Sequence, residues 1–255
     1  MAPPALDFEF FTTRLRFIAH RAVSFPEHGS ANLIRGQLGK ELFDRQPDLY
    51  ERLFAPPHRT DGPSGLLDPP RPYVLRTGHL DGKSYAPGST LEFGIHVFDP
   101  ELAGRFTDFP VEKRVLNLET PLAKIEQLRV EFLSLTELKN APRPDFAPLF
   151  MRLRDRISGL RALYGAGALE IDFKAMGERA AQVQTTIMDI CDVERNRTSR
   201  RSGQQHPISG FVGYAEYFGD LTEFFPYLQA GFWTGVGRQT VWGKGEIRTT
   251  VIDRN

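Results

Sequence analysis

GFWTGVGRQTVWGKGEIR, Gly231 to Arg248, is the stretch from which the rest of the chain can be read. Five glycines, Gly231, Gly235, Gly237, Gly243 and Gly245, stand among Arg238, Lys244, Arg248, Trp233 and Trp242. Glycine lets a backbone reach positive φ and approach a neighbour closely. Exposed amides next to a helix end form a concavity that suits anions, so with cations alongside, phosphate is the expected guest. The competing reading is a glycine-rich hairpin that only turns the chain. The stretch lacks the Gly-Lys-Ser/Thr ending of a P-loop and the spacing of a dinucleotide fingerprint, which argues against a nucleotide-hydrolysing site.

Around this stretch the patterning is helix before and strand after. LTEFFPYLQAGF (221–232) is apolar at helical spacing, opened either by an Asp220/Glu223 capping box or by Pro226 in the first turn. GEIRTTVID (245–253) reads as the last strand. Further upstream, GFVGYAEYFG (210–219) and AQVQTTIMDICDV (181–193) alternate like paired strands, with the basic run ERNRTSRRSGQQH between them. Before those, Phe146, Leu149, Phe150, Leu153, Ile157, Leu160, Leu163 and Tyr164 recur at helical spacing after Pro144 and Asp145, and Gly165 supplies a stop. Arg152, Arg156 and Arg161 are expected on a solvated face of that helix.

The first half repeats the order. FEFFTTRLRFI (8–18) reads as a strand, and ANLIRGQLGKELF (31–43) as a helix capped by Ser30 or Asn32, with Leu33, Leu38, Leu42 and Phe43 on one face. Gly36 and Gly39 weaken that helix but admit a close neighbour. Residues 55–72 are too proline-rich for helix or central strand. YVLR (73–76) and STLEFGIHVFD (89–99) form a hairpin with a wide connection, and 109–138 holds one or two further strands, clearest in KIEQLRVEFLSL. Each half therefore runs strand, helix, strand, strand, helix, strand, the split βαβ order. The expected fold is α+β: tandem ferredoxin-like domains, 1–120 and 121–255, the second carrying the glycine-rich loop 231–245.

Composition narrows the function. The 32 basic and 32 acidic residues balance, so an anionic partner must be held by local clustering. A single cysteine, Cys191, excludes an intrachain disulfide framework and an all-cysteine metal site, in keeping with a cytoplasmic protein. The N-terminus lacks signal-peptide order and no apolar run is long enough to span a membrane. The histidines do not fall at metal-binding helical spacing, and no Gly-x-Ser-x-Gly elbow occurs. No metal and no cofactor are expected.

Gly-Val-Gly-Arg (235–238), Thr240 and Trp-Gly-Lys-Gly (242–245) resemble the glycine-rich loop of the RAMP superfamily, the repeat-associated proteins of CRISPR systems, and in particular its repeat-processing endoribonucleases. LIRGQLGKEL (33–42), GPSGLLDPPRPYVLR (62–76), PGSTLEFGIHVFD (87–99) and RRSGQQHPISGFVGYAEYFGDL (200–221) are similar to the same family. The resemblance implies tandem ferredoxin-like (RRM-like) domains that bind the repeat of a CRISPR precursor transcript. It further implies one metal-independent cut per repeat, by attack of a ribose 2′-OH on the neighbouring phosphate. A RAMP subunit that binds guide RNA in an effector complex without cutting is the alternative. Effector-complex subunits and a second copy of the chain are further partners to consider. One departure is visible: DPELAGRFTDFPVEKR (99–114) is short where relatives carry a full helix.

That chemistry needs a base, an acid and cations around the phosphorane, and histidine suits proton transfer near neutrality. The resemblance puts the catalytic histidine in or near the first helix, facing the cleft between the halves. His28, just before that helix, is the leading candidate and His20, at the strand end, the second. His58 sits in the proline-rich segment, and His96 is read as structural. Arg238 and Lys244 are the expected phosphate contacts, with Arg200, Arg201 and Arg35 beside them; Trp233 and Trp242 either stack on bases or pack beneath the loop.

Overall fold

The computed structural model describes residues 6–55, 70–105, 109–198 and 205–252. Their contacts divide into two compact units. Unit 1 is Met1–Glu119, Arg154–Ile171 and Val241–Gly243; unit 2 is Thr120–Leu153, Asp172–Thr240 and Lys244–Asn255.

Unit 1 is built on an antiparallel sheet of β1 (Asp7–Ile18), β3 (Tyr73–Arg76), β5 (Thr90–Val97) and β6 (Val111–Asn117), in the order β3-β5-β1-β6. Counted along the chain as first to fourth, these strands lie 2-3-1-4, the ferredoxin-like order read from its other edge. The short strands β2 (Val23–Ser24) and β4 (Ser84–Tyr85) pair separately. Helix α1 (Ser30–Arg45) packs with α2 (Pro47–Phe54) over one face, where Leu15, Leu42, Leu49, Leu53, Tyr73, Leu75, Phe93, Ile95 and Val97 form the core. Helix α2 escapes the sequence pattern because it is only two turns long, yet Pro47 in its first turn and Leu49 and Leu53 on one side account for it. The expected apolar face of α1 is corrected: Leu42 is buried, but Leu33 and Phe43 are exposed, and Ala31 and Gly39 take the inner positions. Gly39 is inner because the Phe54 ring lies against it, 3.1 Å from where a Cβ would stand. The inner end of β5 is covered on both faces, and His96 is buried beside Phe10. Among the described residues between β5 and β6 the helix is α3 (Pro100–Ala103), a single turn capped by Asp99.

Unit 2 repeats the plan with β7 (Gln127–Thr136), β8 (Gln184–Thr198), β9 (Gln205–Phe218) and β10 (Ile247–Val251), all antiparallel in the order β10-β7-β9-β8, which is 4-1-3-2. Helices α4 (Phe146–Tyr164), α5 (Phe173–Ala180) and α6 (Phe225–Thr234) accompany it. Phe146 and Phe150 of α4 meet Phe224 and Tyr217, with Phe150 and Phe224 ring centres 4.6 Å apart. Such aromatic clusters supply much of a small core's burial. α6 opens on Pro226 with no side-chain cap, so the Asp220/Glu223 box does not form; Glu223 pairs with Arg179 at 2.7 Å instead. The described residues of the basic run, 194–198 and 205–206, continue the two strands, with pairing carried as far as Thr198↔Gln205.

The arginines of α4 do not share one fate. Arg152 is exposed, but Arg154 and Arg161 are buried, their guanidinium groups on Asp155 and on the Gly167 carbonyl. Arg156 keeps some residue surface, yet burial of its guanidinium, with the Arg76 charge nearby, pulls its pKa down to about 10. A solvated arginine face was the wrong expectation because the second half of α4 belongs to unit 1 and is covered there.

Candidate active site and nucleic-acid interface

In unit 1 the first turn of α1 is held from a distance. No side chain of its own caps it. The carboxylate of Asp81, some fifty residues away, accepts from the amides of Ser30 at 2.9 Å and Gly29 at 3.2 Å. The Ser30 hydroxyl, expected as a cap, bonds to Thr77. These bonds fix the turn of residues 27–29, in which His28 is half-buried with φ at +51°. A left-handed non-glycine residue carries strain that the surrounding structure must hold, and such strain gathers at functional sites. His20 lies exposed in the bend after β1. His79 sets Nε2 2.7 Å from the Glu92 carbonyl, and His96 is enclosed in the core, so both have structural roles.

Val241–Gly243, the tip of the glycine-rich stretch, also belongs to unit 1. Gly243 has φ at +78°, and a Cβ there would stand 2.5 Å from that of Ala31 in the first turn of α1. Val241 packs on the unit 1 core. The Arg35 guanidinium lies over the rings of Phe54 at 4.8 Å and Trp242 at 5.9 Å. Trp242 thus supports a cation, a favourable use of its ring. His28, Arg35, Trp242 and Gly243 are all gathered around the first turns of α1.

In unit 2 the flanks of the same stretch are anchored tightly. Lys244 is 2% exposed, with Nζ 2.6 Å from Glu137 Oε2, 2.6 Å from the Ser209 carbonyl and 3.0 Å from Gln239 Oε1. An ammonium has three protons to donate, and all three are used. Lys244, expected from its sequence position as a phosphate contact, is placed here as an anchor of the loop, with its protons on Glu137, Ser209 and Gln239. Arg238 binds the other oxygen of Glu137 at 2.8 Å but keeps 58% of its side chain exposed, so its charge still faces solvent. Burial opposes ionisation of Glu137, but Lys244 and Arg238 outweigh it and hold the carboxyl below the usual range. For Lys244 the balance goes the other way: burial lowers its pKa more than Glu137 restores it.

The expectation of open amides needs a matching correction. The amides of Val236, Arg238 and Gly245 donate to the carbonyls of Gly245, Glu137 and Leu135. Gly237 and Gly245 are glycines for steric reasons, since a Cβ would fall 2.3 Å from the Glu137 carbonyl oxygen and 1.9 Å from that of Val236. Arg200, Arg201 and His58 lie outside the described residues. Asp81, Thr77 and Glu137 were invisible in the sequence: each acts on a partner far along the chain, and only the Asp81-Gly82 turn signal marks one of them.

A family model described as CRISPR-associated endoribonuclease Cas6 matches residues 117–247, just over half of the chain. The chain belongs to the Cas6 family. It is therefore a CRISPR-associated endoribonuclease, an enzyme of CRISPR precursor RNA cleavage. No curated protein sequence matches it. Among solved structures, Thermus thermophilus Cas6 is 16% identical with a TM-score of 0.61, over 96% of this chain and 100% of that one. A product complex of the same Cas6 is 17% identical at 0.61, over 95% and 99%. A partial Cas6-RT-Cas1–Cas2 complex is 10% identical at 0.55, over 99% of this chain and 47% of that one. At these identities the likeness is one of fold, the tandem ferredoxin-like arrangement of Cas6.

Proposed function

We propose that this Cas6-family chain binds the repeat of a CRISPR precursor transcript and cuts it once per repeat without a metal ion, with His28 in proton transfer. A ribose 2′-OH loses its proton to the His28 imidazole, its oxygen attacks the adjacent phosphorus, and the bond from phosphorus to the 5′-oxygen breaks. The products are a 2′,3′-cyclic phosphate and a 5′-hydroxyl, the leaving oxygen taking a proton from the protonated imidazole or from a second acid such as His20. Arg35 and Arg238 supply positive charge to the RNA backbone, joined by Arg200 and Arg201; Lys244 holds the loop in shape. The observation that carries this reading is the strained turn of His28 at the Asp81-capped start of α1, beside Arg35 and the glycine-rich tip. Guide-bearing CRISPR subunits are the expected protein partners and the cytoplasm the expected site of action. Among the described residues, no helix is long and apolar enough to cross a membrane.

Repeat RNA carrying one 2′-deoxy sugar at the cut position, incubated in EDTA beside the all-ribose RNA, tests the chemistry. The all-ribose strand is cut to a cyclic phosphate and the deoxy strand binds but stays whole. Cutting of the deoxy strand, or loss of all cleavage in EDTA, would overturn the mechanism.

A further inference from the structure

The lysines and arginines of unit 2 with described side chains divide by what holds them. Lys124, Arg129, Lys174, Arg179, Arg238 and Arg248 each pair with a carboxylate, as the buried Lys244 does. Three do not. Lys139, Arg143 and Arg152 are exposed, and among the described residues none of them has a carboxylate partner. Between residues 137 and 152 the acids are Glu137 and Asp145. Glu137 is already shared by Lys244 and Arg238, and Asp145 pairs with none of the three.

The three are also gathered in one place. Residues 138–141 make a tight turn, in which the Ala141 amide donates to the Leu138 carbonyl at 3.3 Å and Asn140 takes φ at +62°. Lys139 stands on that turn. Arg152, in the second turn of α4, donates from its guanidinium to the Lys139 carbonyl at 3.2 Å. Arg143, just past the turn, sets Nε 3.1 Å from the Met188 sulfur of β8. A carbonyl and a thioether are neutral acceptors, so they fix each guanidinium without cancelling its charge, and each keeps further N–H donors to offer. Arg238 continues the row, since its amide donates to the Glu137 carbonyl at 2.9 Å, two residues before Lys139. Cations that carry no counter-charge of their own are the ones that displace the ions condensed on a nucleic-acid backbone. Held by a turn, a helix and a strand, they suit successive phosphates of a strand, where a single small anion would need donors converging on one point.

We propose that Lys139, Arg143 and Arg152 form a phosphate-contact patch on unit 2 for the backbone of the repeat RNA, beyond the glycine-rich stretch. This patch rests on the reading that the chain binds repeat RNA, and not on His28 or the cleavage chemistry.

Salt dependence tests it. Binding of the full chain to repeat RNA carrying the 2′-deoxy block is measured over a series of salt concentrations. Each of Lys139→Gln, Arg143→Gln and Arg152→Gln should flatten the slope of log affinity against log salt by about one unit. The triple variant should flatten it by about two to three units and weaken binding at moderate salt at least about tenfold. Random RNA of the same length should lose the same factor, because phosphate contacts carry no sequence. Arg152→Lys keeps the charge and should keep the parental slope. Lys124→Gln/Lys174→Gln, which removes two exposed but paired lysines elsewhere in unit 2, should leave the slope near that of the parent. Circular dichroism, expected to be unchanged throughout, shows that the fold survives. A triple variant with the parental slope, an Arg152→Lys slope as flat as that of Arg152→Gln, or paired-lysine variants as flat as the triple would each overturn the patch while leaving RNA binding itself intact. A parent that binds no repeat RNA would overturn the RNA reading and the patch with it.

Discussion

His28 keeps its left-handed backbone because the residues on either side have no freedom to relax it. Asp81 holds the two amides that follow, and a Cβ on Gly29 would strike Pro26 at 2.7 Å. Asp81→Ala should therefore cost about 1 kcal/mol of stability, the usual value of a lost helix cap, measured by urea unfolding. By loosening the turn it should also lower the cleavage rate about tenfold with RNA affinity retained. Asp81→Asn keeps an accepting oxygen and should recover most of both. Gly245 is constrained more severely. Gly245→Ala would force a methyl group against the Val236 carbonyl at a positive φ, and a loss of roughly 2–4 kcal/mol is expected in the same assay. The sequence pointed to His28, Arg35 and the glycines by residue type and position. It could not show that Gly237 and Gly245 are required by their own lobe's backbone, since the carbonyls they meet, Glu137 and Val236, are not marked by any local pattern.

Elements were legible where burial is one-sided and illegible where it is not. β10 and the first half of α4 follow their apolar periods closely, with Ile247 and Phe146, Leu149, Phe150 and Leu153 buried. α1 does not: its exposed Leu33 and Phe43 disguise a face that is buried through Ala31 and Gly39. The glycine-rich segment is held by an ion pair that only the structure exposes. Glu137→Gln would leave the Lys244 ammonium buried with one charge partner fewer. The expected cost is roughly 2–3 kcal/mol, below the range for fully buried pairs because 26% of the Glu137 side chain is exposed. The pH dependence follows from the lowered pKa of Glu137. Its contribution is complete above the ordinary carboxylate range and is lost as pH falls through the lower folded value. Urea titrations from pH 7 downward should show the parent losing this share of stability in acid. Glu137→Gln should lose correspondingly less over that span; parallel acid limbs for the two proteins would remove the pair from the account.

At the scale of the molecule, the split βαβ order of each half was enough to anticipate two ferredoxin-like sheets, because connection lengths and strand alternation leave few other arrangements. The course of α4 was not foreseeable: a single amphipathic period gives no sign that Leu153 and Arg154 fall in different units, and so the burial of Arg156 and Arg161 stayed hidden. The family shows what the enzyme acts on, and His28 at the start of α1 is the residue proposed to move the proton. Single-turnover cleavage of a repeat RNA in EDTA by the parent and by His28→Ala, with binding measured in parallel, tests that assignment most directly. A fall of about 10²–10⁴-fold in the cleavage rate with affinity retained is the predicted result; cleavage by His28→Ala at the parental rate would contradict it.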